Sequence, residues 1–202
     1  MKMILLASQS PRRARLLEQI RVPFEMLAMP SDDVEGAMDM NSLPPHQAAE
    51  ALAAAKLDLA LSVAPRDADA VILCADTIVV AGDHVLGKPA HADDAARMLR
   101  ALSGRVHEVI TAVALHDLRT GIRCVFHERT EVVFRELEPG EIERYANSGH
   151  PLDKAGAYGI QGLAGAFVSG VRGCYSNVVG LPLAHLAQAL KNEFDFDVTR
   201  NW

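Results

Sequence analysis

Apolar and polar positions alternate in blocks that predict most of the secondary structure. Met3-Ile4-Leu5-Leu6-Ala7 is an unbroken apolar run and predicts a strand over 3–7. A helix is predicted over 10–20, with Ser10 as N-cap and Pro11 at its first position, closed by Val22-Pro23-Phe24. A short strand over 24–28 leads into an acidic loop, Ser31-Asp32-Asp33, and residues 35–45 read as irregular. Pro44-Pro45 opens an alanine-rich helix over 45–62. Val71-Ile72-Leu73-Cys74-Ala75 is continuous enough for a strand covered on both faces. Ile78-Val79-Val80 and Val85-Leu86 then flank a hairpin with Gly82-Asp83 at its tip.

The second half predicts a helix over 92–102 that opens on Asp93-Asp94 and stops at Ser103-Gly104. Strands over 106–117 and 122–134 are joined by a turn at Arg119-Thr120-Gly121. A helix over 139–147, a glycine-rich stretch over 149–180 and a final amphipathic helix over 182–193 complete the chain. Leu181, Leu183, Leu186 and Leu190 mark the core face of that last helix. Strands and helices mix without strict alternation, so the fold class is α/β with a mixed sheet. No repeat or linker interrupts the 202 residues, which suffice for a single domain with one core or with two lobes around a cleft.

Composition narrows the function classes. Half the residues are apolar and 23% are charged, as in a soluble globular protein. A net charge of −6 argues against a general nucleic-acid binder. No run approaches the roughly 18 apolar residues of a membrane span. The N-terminus, with one lysine and a short apolar run, is unlike a signal peptide, so the expected location is cytoplasmic. Cys74, Cys124 and Cys174 are odd in number and lack Cys-x-x-Cys spacing, so they read as small buried apolar residues. The eight histidines show no metal-ligand spacing.

Several positions could carry chemistry. Arg12 and Arg13 fall in the first turn of the first helix, where cations oppose the helix dipole. A bound phosphate would explain them; so would neighbouring carboxylates. Asp76 follows the buried run 71–75, which places a carboxylate at the carboxyl end of a strand, where open α/β sheets put their ligands. There it can be a metal ligand, a general base or a turn cap. A two-residue turn at Gly82-Asp83 would pair Thr77 with Lys88 and bring an ammonium near Asp76, whereas a three-residue loop would set Lys88 opposite Asp76 itself; either serves a site or a plain structural salt bridge. Asp153-Lys154-Ala155-Gly156-Ala157-Tyr158-Gly159-Ile160-Gln161-Gly162 combines small residues with a recognition-capable amide. Asp32 and Asp33 can share a hard divalent cation or simply be solvated. Lys56, on the alanine-rich helix, reaches either a ligand or water.

Three of these segments together resemble the Maf family of nucleoside triphosphate pyrophosphatases. Leu6-Ala7-Ser8-Gln9-Ser10-Pro11-Arg12-Arg13 is similar to its N-terminal signature. Ala75-Asp76-Thr77-Ile78-Val79 with Leu86-Gly87-Lys88-Pro89, Met98-Leu99 and Leu102-Ser103-Gly104-Arg105 is similar to its central block. The 153–162 segment, Tyr175 and Val179-Gly180-Leu181-Pro182-Leu183 are similar to its C-terminal block.

The resemblance implies an ITPase-like fold with two lobes around a central cleft and a homodimeric assembly. It implies hydrolysis of a nucleoside triphosphate to monophosphate and pyrophosphate with a divalent cation, Mg²⁺ or Mn²⁺. Asp76 matches the proton acceptor. Arg12, Thr77 and Gln161 match base-specificity positions, and Ser8, Arg13, Lys56, Lys88 and Lys154 match positions around the phosphates. Asp32 and Asp33 align with an acidic pair expected to hold metal with Asp76. The Asp-Lys-Ala-Gly-Ala-Tyr form resembles the branch acting on dTTP and UTP. Two departures stand out: Ala55 replaces a frequent acidic residue before the lysine, and Asp32-Asp33 replaces glutamates. The competing expectation is a non-catalytic nucleotide-binding regulator of cell division, which needs the phosphate cradle but no base.

Overall fold

A computed structural model describes residues 2–30, 43–65 and 68–202. In chain order the elements are β1 (Met3–Leu6), α1 (Pro11–Gln19), β2 (Phe24–Met26), α2 (Pro45–Val63), β3 (Ala70–Ala81), β4 (His84–Leu86) and α3 (Ala92–Leu102). Then come β5 (Val106–Asp117), β6 (Arg123–Phe134), α4 (Pro139–Ala146), β7 (Val168–Arg172), α5 (Tyr175–Val179) and α6 (Leu183–Phe194). The sheet runs β2-β1-β3-β5-β6-β7, with β4 paired to β3. It is mixed: β1 is parallel to β2 and β3, whereas β4 is antiparallel to β3 and β7 to β6. Among the described residues no helix is long and apolar enough to cross a membrane.

The predicted strands 71–75 and 78–80 are one twelve-residue strand, β3. Asp76 and Thr77 interrupt the apolar run without ending the strand, so Asp76 lies mid-strand and not at a carboxyl terminus. The hairpin has the two-residue turn, with Ala81 opposite His84 and Val79 opposite Leu86. That register points Thr77 at Lys88, but the ladder stops at Leu86. The glycine-rich stretch contains more order than its composition implies. It holds 3₁₀ turns at Ala155–Ala157 and Leu163–Phe167, the strand β7 and the short helix α5.

The chain divides into two compact units, Met1–Asp76 with Thr111–Glu128 and Gly180–Trp202, and Thr77–Ile110 with Arg129–Val179. In the first, β1, α2, the start of β3 and α6 bury Ile4, Leu6, Leu52, Leu57, Ile72, Leu73 and Leu190. Ala48, Ala49, Ala53 and Ala60 are fully buried on α2, the small side chains permitting close approach of its backbone. Lys2 Nζ ties the N-terminus down by donating to Asp117 Oδ2 at 2.7 Å and to the Phe194 carbonyl at 2.8 Å. Burial pushes the Asp117 carboxyl up, but the Lys2 ammonium and the Thr120 and Arg119 N–H groups outweigh it and hold it low.

In the second unit Phe134 centres an aromatic core. The His107 and Tyr158 rings meet it edge-on, at 88° and 74°, with centroids 4.9 and 4.8 Å away. His107 is 2% exposed, and burial pushes its pKa down to about 4. The unfolded chain therefore binds a proton that the folded one refuses, and stability falls as pH drops from about 6.5 towards 4. The full loss amounts to about 3 kcal/mol. Urea unfolding at pH 7 and pH 4.5 should show this decline, and His107→Phe should flatten it.

Candidate active site

The first unit gathers Ser8, Arg13, Lys56 and Asp76. Strand alternation puts Cys74 and Asp76 on one face of β3 and Thr77 on the other. Asp76 is 5% exposed, a position where an ionised carboxylate needs a partner. Lys56 supplies it: its Nζ donates to Asp76 Oδ1 in a largely buried ion pair. Lys56 is thus oriented by Asp76 itself, and Ala55 at the preceding position does not prevent it.

Arg13 enters from α1. Its Nε donates to the Gly180 carbonyl at 2.8 Å and its Nη1 to Ser8 Oγ at 3.1 Å. Ser8 Oγ also accepts the Ser10 N–H at 3.2 Å. Ser10 stands at the N-cap as expected, but its hydroxyl caps nothing. The Arg13 N–H, which that hydroxyl would serve, goes to the Ser10 carbonyl at 3.2 Å. Arg12, one helical position earlier, is half-buried and about 100° around the axis from Arg13. The sequence reading missed Gly180 as Arg13's anchor. Its φ of +125° is a conformation that side chains disfavour, and this explains a glycine just before α6.

Cys74 reports the surrounding charge. Burial pushes its thiol up to about 12, against the pull of Arg13 and Lys56. It stays protonated, so it is no nucleophile. Cys124 and Cys174 are only partly buried, contrary to expectation. Cys124 sits near the exposed start of β6, and Cys174 lies between β7 and α5, where its Sγ is 3.2 Å from Ser176 Oγ.

The second unit places Lys88 and Lys154 on joined segments. The Gly156 N–H donates to the Gly87 carbonyl at 3.0 Å, pinning the 155–157 turn to the base of the hairpin. Gly156 has φ +67°, and a Cβ there would lie 2.9 Å from Val79 carbons. Lys88 is exposed just beyond β4. Lys154 Nζ donates to the His150 carbonyl at 2.6 Å and to Asp153 Oδ1. Its stem lies over Gly159, whose missing Cβ would be 2.7 Å from Lys154 Cε. The Lys154 charge is therefore shared with its sequence neighbour. Gln161 is exposed. Asp32 and Asp33 lie outside the described residues. Among the described residues no three His, Cys, Asp or Glu side chains are grouped as metal ligands.

The chain belongs to the family described as Maf-like protein, whose model matches residues 3–193. It is 47% identical over 191 residues to a dTTP/UTP pyrophosphatase of Ruminiclostridium cellulolyticum, covering 95% of this chain and 96% of that one. A protein of the same name from Pelotomaculum thermopropionicum is 46% identical over 198 residues, covering 98% and 100%. A solved nucleoside-triphosphatase / dITP/XTP pyrophosphatase from Mycobacterium abscessus aligns over 95% of this chain and 93% of its own, with 16% identity and a TM-score of 0.43.

The buried pair makes a stability prediction. Lys56→Met removes the cation paired with the buried Asp76 carboxylate and should cost about 3–5 kcal/mol in urea unfolding. Lys56→Met with Asp76→Leu should recover at least half of that loss, because two apolar groups need no mutual compensation.

Proposed function

We propose that this protein hydrolyses dTTP and UTP to the monophosphate and pyrophosphate, with Asp76 accepting the proton of the attacking water. The observation that carries the reading is the buried Asp76 carboxylate paired with Lys56, on the strand face whose Cys74 also feels Arg13. The names of the relatives, matched along nearly the whole chain, support the substrate class. We read residues 1–202 as one catalytic domain.

In this mechanism a water oxygen forms a bond to the α-phosphorus while the bond from that phosphorus to the bridging oxygen breaks. Pyrophosphate leaves with the electron pair, and the water's proton passes to the Asp76 carboxylate. Lys56 holds that carboxylate in place and balances its charge. Arg13, held through Nε and Nη1, presents a fixed cation to phosphate oxygens, which avoids reorganisation during the reaction. Ser8 acts by holding Arg13. By the family resemblance we also assign Lys88 and Lys154 to the phosphates, and Arg12, Thr77 and Gln161 to base recognition, for which an amide and a guanidinium suit a pyrimidine's carbonyls and N3–H.

A divalent cation, Mg²⁺ or Mn²⁺, belongs to the proposal. Such ions take a carboxylate or two together with phosphate oxygens and water, and the Asp76 carboxylate fits as one donor. When bound, the ion neutralises charge on the phosphate oxygens. Asp32 and Asp33 complete the proposed donor set. The homodimer and the cytoplasmic location belong to the same proposal and rest on the family resemblance.

Asp76→Asn, assayed under conditions where urea unfolding shows both it and the wild type folded, should reduce pyrophosphate release from UTP by about 10²–10⁴-fold. A loss below about tenfold removes the carboxylate from the proton-acceptor role. In a panel of dTTP, UTP, dGTP and ATP, the two pyrimidine nucleotides should be turned over fastest, because a purine does not present the carbonyl and N3–H pattern that an amide and a guanidinium pair with. Equal rates for all four would reject that specificity, and nucleotide binding without pyrophosphate release would favour the regulator.

A further inference from the structure

The segment carrying Lys154 and Gln161 has little regular structure to hold it. Its backbone ties include Lys154 to Pro151 at 3.1 Å, Gly156 to Gly87, Ala157 to Lys154 at 3.1 Å, Gly162 to Gly159 at 3.0 Å, the Gly165 N–H to Gly162 at 2.9 Å, and a hydrogen bond of the Gly159 backbone to the Tyr145 phenol. Between the two candidate residues stands Tyr158, extended at φ −148° and ψ 158° and 5% exposed. Its phenol oxygen lies 2.8 Å from His107 Nε2, a hydrogen bond between residues 51 positions apart. The two rings also meet at 86°, with centroids 5.4 Å apart. His107 therefore links β5 to the middle of the recognition segment.

A residue serving only the core would not be built this way. His107 Nδ1 is buried, with no hydrogen-bond partner among the described residues. An orphaned polar atom destabilises a core, and a phenylalanine in the same niche would remove it only by taking away the Tyr158 phenol's bond to Nε2, so the histidine is kept for that bond. A single long-range polar bond does what apolar packing does not: it fixes a side chain's direction. Directing Tyr158 sets the backbone from which Lys154, four residues before, and Gln161, three residues after, depart.

We propose that His107 is a positioning residue for nucleotide recognition, acting through Tyr158 to fix the geometry of the 153–162 segment. The proposal rests on the pyrophosphatase reading for its substrate and deepens it by naming what sets pyrimidine selectivity from inside the core. His107 and Tyr158 touch no reacting atom.

The test compares wild type with His107→Phe, His107→Gln, Tyr158→Phe and the double variant His107→Phe/Tyr158→Phe. Steady-state rates are measured on UTP, dTTP and dGTP with pyrophosphate detection, and amide hydrogen exchange is followed over 153–162. His107→Phe and Tyr158→Phe should each raise KM for UTP by roughly tenfold or more and narrow the UTP-to-dGTP preference, with kcat within about threefold. The double variant should be no worse than either single one. His107→Gln, whose amide reaches the place of Nε2, should restore much of the selectivity. Exchange over 153–162 should quicken in His107→Phe while exchange in α2 stays unchanged.

A His107→Phe protein with wild-type KM, selectivity and local exchange overturns the proposal, whatever its melting temperature. A wild-type protein that releases no pyrophosphate from any nucleotide, yet shows the quickened local exchange on His107→Phe, overturns the pyrophosphatase reading instead and leaves the positioning link standing.

Discussion

The buried Asp76 charge constrains how the elements of the first unit pack. Asp76 sits in the interior of a twelve-residue strand, where a lone carboxylate is unstable. Its presence requires a cation within reach, and that requirement fixes how α2 must lie so that Lys56 meets it. The alanines along α2 answer the same demand from the other direction. Side chains of near-zero bulk let the helix backbone come close enough for one lysine stem to span the gap. Removing either charge takes away the compensation that the pair gives the other, which makes a one-sided change costly.

Arg13 obeys a second constraint. Guanidinium groups are flexible unless several of their N–H donors are used, and here the chain itself uses two of them. A serine from the loop after β1 and a backbone carbonyl from the start of α6 fix the plane of the group. The cation is directed before any ligand arrives. The absence of acidic residues in the first turn of α1 is consistent with that role, since a neighbouring carboxylate would compete for the same donors.

Much of this was legible from residue order alone, and the misses share a cause. Long strands such as β5 and β6 and helices such as α2 and α3 carry strong periodicity, and the structure places them within a residue or two of expectation. Asp76 and Thr77 misled because a polar pair normally ends an apolar run. Nothing local reveals that a lysine twenty positions earlier makes the interruption tolerable. Helix α5 has five residues, too few for a periodic signal, and its hold comes from buried Asn177, which donates to the Val109 carbonyl and to Thr130 Oγ1. The candidate cations were found by type and motif, whereas their partners were not. Gly180 bonds through its backbone, and Asp153 bonds to its own neighbour, which leaves no spacing to read.

The Arg13–Gly180 bond spans 167 positions, and the Lys2–Phe194 bond spans 192. A nascent chain emerging from the ribosome has synthesised the arginine long before the carbonyl that orients it. Contacts of such sequence separation form late and slowly. The orientation of Arg13 must therefore wait for the segment before the final helix, and loss of that C-terminal segment would leave a protein with its arginine present but unaimed.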